Sequence, residues 1–180
     1  MQGQEAPGSL EVVREFVNTL DVEEGVETLS SPRALGAWLR ARSLLREGPV
    51  TRPDLARARK VREALRALLA ANNGLSVRKE AALELSRAAR RADLRLRFEP
   101  DGSVRLEPAA RGVDGALGRL LAIAAAAVAE GTWPRLKACR APDCRWAFYD
   151  HARNRSRHWC SMAVCGNRVK ARAYRRRRAA

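Results

Sequence analysis

A chain of 180 residues that is 46% hydrophobic can build one good core plus a small stapled module, and its composition excludes wholesale disorder. Its formal charge is +15, and the excess is concentrated: residues 131–180 carry 14 Lys+Arg against 2 acidic residues, a net of +12, leaving 21 basic and 18 acidic, a net of +3, for the rest. There is no apolar leader and no run of 18 apolar residues, and the Ala-rich stretch 120–129 is too short to span a bilayer, so a cytoplasmic protein without membrane contact is expected. A near-neutral body followed by a basic tail attracts phosphate backbones through counterion release, whatever sequence is being read. Arg outnumbers Lys 31 to 4; because the body is Arg-rich too, the ratio reads as the codon bias of a GC-rich genome, which does not account for the clustering.

In chain order, the first eight residues are small and polar and are expected to fray. Ser9 suits the N-cap of a helix over 10–20, with Leu10, Val13, Phe16, Val17 and Leu20 on one face. Ser31-Pro32 opens a short helix that turns Leu35, Trp38 and Leu39 inward. Thr51 caps a long helix over 53–72, ended by Asn72-Asn73-Gly74 in the left-handed manner. Ser76 starts another helix to about residue 92, with Leu83 and Leu85 buried. Leu94, Leu96 and Phe98 alternate with charged residues, Pro100-Asp101-Gly102 turns the chain, and Val104 and Leu106 alternate on the return, which predicts a hairpin near 94–107. Asp114 is the cap expected for a helix to residue 130, and Gly131-Thr132-Trp133-Pro134 marks a domain boundary. In the body, Asn18 and Thr19, with Trp38 and Arg62, either line a small-molecule effector pocket or close a helix end with a satisfied Asn.

All four cysteines lie in the tail, as Cys139-x4-Cys144 and Cys160-x4-Cys165 with fifteen residues between. In a reducing compartment this pattern favours metal over disulfides. Two thiolate pairs on short loops suit one structural zinc; an iron–sulfur cluster also takes four thiolates. A closed four-thiolate site has no position for a reacting water, so the metal is not catalytic and no enzyme is expected; a nuclease using His151, His158 and Asp150 would need a second metal or an open zinc. Trp159, with Trp146 and Phe148, forms the module's small core or stacks a base. The fold class is α+β, mostly α: a helical N-terminal domain over 9–131 with one hairpin, then a four-cysteine finger over 136–180 ending in a basic helix. Losing a cysteine should unfold 136–180 and leave the body standing.

Phe148, Asp150, Asn154, Arg155, Arg157, Trp159-Cys160-Ser161-Met162 and Cys165-Gly166-Asn167-Arg168 with Lys170 resemble the CGNR-type zinc finger of bacterial proteins over roughly 136–180. Phe16-Val17-Asn18-Thr19-Leu20 and Leu35…Trp38-Leu39 resemble the ABATE domain that accompanies it. Proteins of this build are regarded as stress-induced transcription regulators, which implies a nucleoid-associated bacterial protein whose finger binds DNA and whose body senses a ligand or dimerises.

On that reading Gly166 supplies backbone freedom beside the metal, and Asn167 caps the basic helix or donates towards the thiolates. Arg168 contacts phosphate or base, or else ties the knuckle together through Asp143 or Asp150. Arg168, Arg172, Arg175 and Arg176 recur at helical spacings, Lys170 lies on another face, and Arg153, Arg155 and Arg157 alternate in the connector. All eight are candidate nucleic-acid contacts, with phosphate contacts dominating. One small finger is a weak reader, so a homodimer is expected. The alternative partner is structured RNA, in a ribosome-associated protein.

Overall fold

The computed structural model describes residues 5–178, apart from the side chains of Ala173 and Arg176. Helix α1 (Leu10–Val17) buries Leu10, Val13, Phe16 and Val17. It stops short of Leu20 because Thr19 turns the chain, its N–H and its Oγ1 both donating to the Phe16 carbonyl, and strand β1 (Leu20–Asp21) then pairs antiparallel with β2 (Val26–Glu27). Ser9 makes no capping bond. Ala6 is buried and its N–H donates to Glu11 at 2.7 Å, so the stretch from Glu5 is packed and not frayed; residues 1–4 lie outside the described residues.

Helix α2 (Pro32–Ala41) is capped by Ser31, whose Oγ accepts the Ala34 N–H. Helix α3 (Arg52–Ala71) opens with a reciprocal capping box between Thr51 and Asp54, a device that contributes about 1 kcal/mol, and ends at Gly74 with φ of +81°. Helix α4 (Lys79–Arg91) begins three residues later than Ser76. Its two leucines differ: Leu83 is 42% exposed, while Leu85 is half-buried and packs against the main core. Ala88 is buried, and at the helix end a Cβ on Gly118 would stand 2.5 Å from the Ala92 Cβ, so the backbones there approach too closely for a leucine to be interposed.

The predicted hairpin is β3 (Leu94–Phe98) with β4 (Val104–Pro108), in the register Leu96↔Leu106 and Phe98↔Val104. Helix α5 (Gly112–Ala129) has no side-chain cap, and Asp114 instead reaches Arg57 at 3.2 Å. By length and composition α5 could cross a membrane, yet Val113, Ala116, Leu117, Leu120, Leu121, Ala124 and Ala127 are buried in the protein's own core. After a 3₁₀ turn at Trp133–Arg135, β5 (Leu136–Ala138) pairs with β6 (Ala147–Tyr149), followed by a π-type turn (Met162–Gly166) and α6 (Asn167–Arg178).

The main apolar core does not end at residue 131. Trp133, Leu136, Ala138, Ala147 and Tyr149 belong to the same buried cluster as Phe16, Leu39, Leu65, Leu69 and Leu120. A second, smaller cluster surrounds the four cysteines.

Candidate metal centre and basic helix

The β5–β6 connection forms the first knuckle. The Cys139 N–H donates to the Trp146 carbonyl, Cys144 and Arg145 both donate to the Ala141 carbonyl, and Arg145 closes the turn at φ of +55°. Of the second pair, Cys160 precedes the π-type turn and Cys165 lies within it; there Ser161 Oγ accepts the Val164 N–H and its carbonyl accepts the Gly166 N–H. The four sulfurs all lie within 4.8 Å of one another, and Cys144–Cys160 and Cys160–Cys165 are each 3.6 Å apart. Four Zn–S bonds of about 2.3 Å at tetrahedral angles require sulfurs about 3.8 Å apart. All four cysteines are buried, together with Ala141 and Phe148, and Trp146, Trp159 and Val169 pack on them.

Hydrogen bonds from Cys144 and Cys160 hold the Cys139 thiol down at about 2. Bonding to that thiolate pushes Cys144 up to about 12 and raises Cys160, while burial raises Cys165. A single thiolate thus suppresses ionisation of its neighbours, and four together call for a dication. These residues are the ligand set of one structural zinc. His151 and His158 stand apart from it, against the Glu5 carbonyl at 2.9 Å and Asn73 Oδ1 at 2.8 Å.

Gly166 is required for space and not for backbone freedom, since its φ is not among the left-handed ones. A Cβ there would stand 2.4 Å from Met162 Sδ and 3.1 Å from Trp159 Cδ1. Gly166→Ala should therefore destabilise the finger by about 1 kcal/mol, the low end for overpacking, because the half-exposed Met162 can swing away while Trp159 must shift. Chelator competition should show zinc lost more readily, with partial recovery in Gly166→Ala/Met162→Ala.

Asp150, fully buried, organises the connector: Lys137 Nζ donates to it at 2.8 Å, and the Ala152 and Arg157 N–H groups do so at 3.0 Å each. Lys137 also donates to the Arg155 and Arg157 carbonyls. Arg157 is tied down as well, donating to the Cys160 carbonyl at 2.9 Å with its guanidinium 5.3 Å from the Phe148 ring centre. Arg168 donates to Asp143 at 3.0 Å and pairs with Glu23 of the β1–β2 turn, and Arg172 donates to Asp143 at 2.9 Å. Arg172, then Arg168, hold the Asp143 carboxyl down at about 2; Glu23 and Asp143 in turn raise Arg168. Of the partners expected for Arg168, Asp143 is the one found, because Asp150 is occupied by Lys137. A groove of about 500 Å³ separates α6 from the knuckle, lined by Pro142, Val169, Arg172 and Arg175. Arg153, Arg155 and Lys170 are exposed and form no ion pair among the described residues; the side chain of Arg176 lies outside them.

The body grips this module through Arg66, which the sequence did not single out, and through asparagines it marked only as helix ends or pocket candidates. Arg66, fully buried, donates to the Val17, Leu20 and Arg145 carbonyls, linking α1 and β1 to the residue after Cys144. Asn72 donates to the Trp133 and Leu136 carbonyls, and Asn73 to those of Ala138 and His158. Asn18 makes a two-way clamp with the Ala147 backbone, at 2.9 and 2.7 Å. Thr19 accepts from Arg62, which is buried against Glu27 at 2.7 Å, and Trp38 packs on Phe16 beneath the Arg42 guanidinium. The residues expected to line a pocket thus take protein partners.

A helical domain joined through one core to a four-thiolate finger defines a zinc-finger protein whose metal is structural. The chain belongs to the ABATE family, described as "Putative stress-induced transcription regulator", whose model matches residues 10–131, and the CGNR zinc finger model matches residues 135–178. No curated protein matches it.

Proposed function

We propose that this protein is a zinc-dependent DNA-binding transcription regulator of the bacterial cytoplasm, acting at the nucleoid, in which the finger meets duplex DNA and the body is its mount. One observation carries this reading. Both acidic residues of the tail, Asp143 and Asp150, are bound internally, by Arg168 and Arg172 and by Lys137. Among the described residues, Arg153 and Arg155 in the connector and Lys170, Arg175 and Arg177 on α6 are exposed and pair with no carboxylate. Zinc lends the folding energy that so small a module lacks, and the ordered helix presents its charge without first having to fold. A homodimer would bring two fingers to one site; the exposed Leu96, Phe98 and Val104 on the β3–β4 tip support that arrangement, and sedimentation velocity reads it.

The test is an anisotropy titration of the zinc-loaded full chain against duplex DNA and folded RNA at rising salt. Duplex should win, and log K should fall with log[salt] at about 0.9 per phosphate contact, a slope of about −4.5 if those five exposed cations each meet a phosphate. A chelator should abolish binding. Preference for RNA would assign the finger to RNA, and a flat salt response would make it a protein adaptor.

A further inference from the structure

Helix α6 has two chemically different sides. Successive residues turn by about 100°, so Arg168, Val169 and Arg172 share one side, and Asn167, Lys170, Ala171 and Tyr174, at i, i+3, i+4 and i+7, share another. The contacts agree with this geometry. Arg168 and Arg172 bind Asp143, Arg168 also binds Glu23, and Val169 packs on the cysteine cluster. Asn167, Lys170 and Ala171 are exposed, as is Tyr174, whose ring lies 5.7 Å from the Arg178 guanidinium. The carboxamide of Asn167 and the amine of Lys170 make no hydrogen bond among the described residues.

Arg168 and Arg172 are engaged on the knuckle side, both through the shared Asp143 carboxylate and Arg168 also through Glu23. To reach a base edge they would have to leave Asp143 and Glu23. Asn167 has nothing to leave. It sits in the first turn of the helix, where recognition helices make base contacts, and its side chain offers a donor beside an acceptor, the pattern that matches adenine N7 and N6 in the major groove. Ala171, one turn on, is small enough to let the helix approach the groove floor and to meet a thymine methyl. The helix carries seven Lys and Arg and no acid over twelve residues, and a groove about 12 Å wide admits an α-helix.

We propose that Asn167, Lys170, Ala171 and Tyr174 form the base-reading face of α6 in the major groove of duplex DNA, with Asn167 on adenine, while Arg168 and Arg172 position the helix on the zinc knuckle. This rests on the DNA-binding reading above. Lys170 supplies a phosphate or guanine contact from the same face, and Tyr174 closes its far end.

The experiment selects duplexes from a randomised library with the zinc-loaded full chain, then compares wild type, Asn167→Ala and Arg172→Ala on the selected duplex and on a scrambled one. Wild type should enrich a site containing an adenine that Asn167→Ala no longer requires. Asn167→Ala should keep its affinity and salt slope on the scrambled duplex and lose roughly tenfold in the selected-over-scrambled ratio, as one bidentate contact allows. Arg172→Ala should keep every base preference and lose zinc faster to a chelator. An unchanged preference in Asn167→Ala, or a base preference lost in Arg172→Ala, overturns the face assignment while DNA binding stands. Uniform retention of all duplexes by wild type also overturns it and leaves only phosphate binding. Failure of wild type to bind duplex removes both readings.

Discussion

Cys160→Ser is expected to abolish zinc retention and to unfold body and finger in one transition. From sequence alone, the break in charge at residue 131 suggests that the body survives loss of the metal. The packing argues otherwise. Leu136 and Ala147 are fully buried, and Ala138 nearly so, in the cluster that holds α1, α3 and α5 together. Arg66 and Asn73 send their side-chain donors to finger carbonyls, and those donors are left buried and unpaired if the finger dissolves. Zinc contributes about 10–16 kcal/mol to folding in isolated fingers, and a whole domain is held by only about 5–15 kcal/mol, so the metal is of the order of the total. Calorimetry of wild type, wild type with chelator and Cys160→Ser should give one endotherm that moves or vanishes as a unit. A body transition persisting at the wild-type temperature would show that the two parts fold independently.

What could be read from the sequence follows from how local each signal is. The Ser31 and Thr51 caps, the Gly74 stop and the β3–β4 register depend on neighbours within a few residues, and those patterns are printed in the chain. The cysteine pairs were legible because a metal site constrains spacing directly. Strands β5 and β6 were not: three residues each, buried on both faces, they show no alternation. Asn72 and Asn73 look like a helix stop, which they are, but their amides also hold the finger across more than sixty residues. Leu83 reads as core by periodicity and is exposed, while Ala88 is buried and Ala92, at the end of α4, stands against Gly118. Each of these depends on which distant surface arrives, and no short window records that.

Lys137→Met is expected to cost about 3–5 kcal/mol at neutral pH, the cost of breaking a buried pair from one side. Lys137 and Asp150 have side chains only 4% and 0% exposed, and the carboxylate also accepts the two N–H groups that shape the connector. Burial alone would raise the Asp150 carboxyl; the bonds from Lys137, Ala152 and Arg157 outweigh it and hold the group below the usual carboxylate range. A folded pKa below the unfolded value of about 3.9 means that the pair's stabilisation is present above that pH and is lost as pH falls through the folded value. In Lys137→Met burial acts without the cation, so the Asp150 pKa moves up and the folded variant takes up a proton first. The stability difference between variant and wild type should therefore be largest near pH 7 and shrink as pH falls towards 4. Urea melts of both proteins across that range read it directly; a difference that stays constant with pH would mean that the loss is one of packing and not of charge pairing. The carbonyls of Arg155 and Arg157 lose the same donor, so the connector that carries Arg153 and Arg155 should loosen as well. Hydrogen exchange at the Ala152 and Arg157 amides should quicken well beyond that of the β5–β6 ladder.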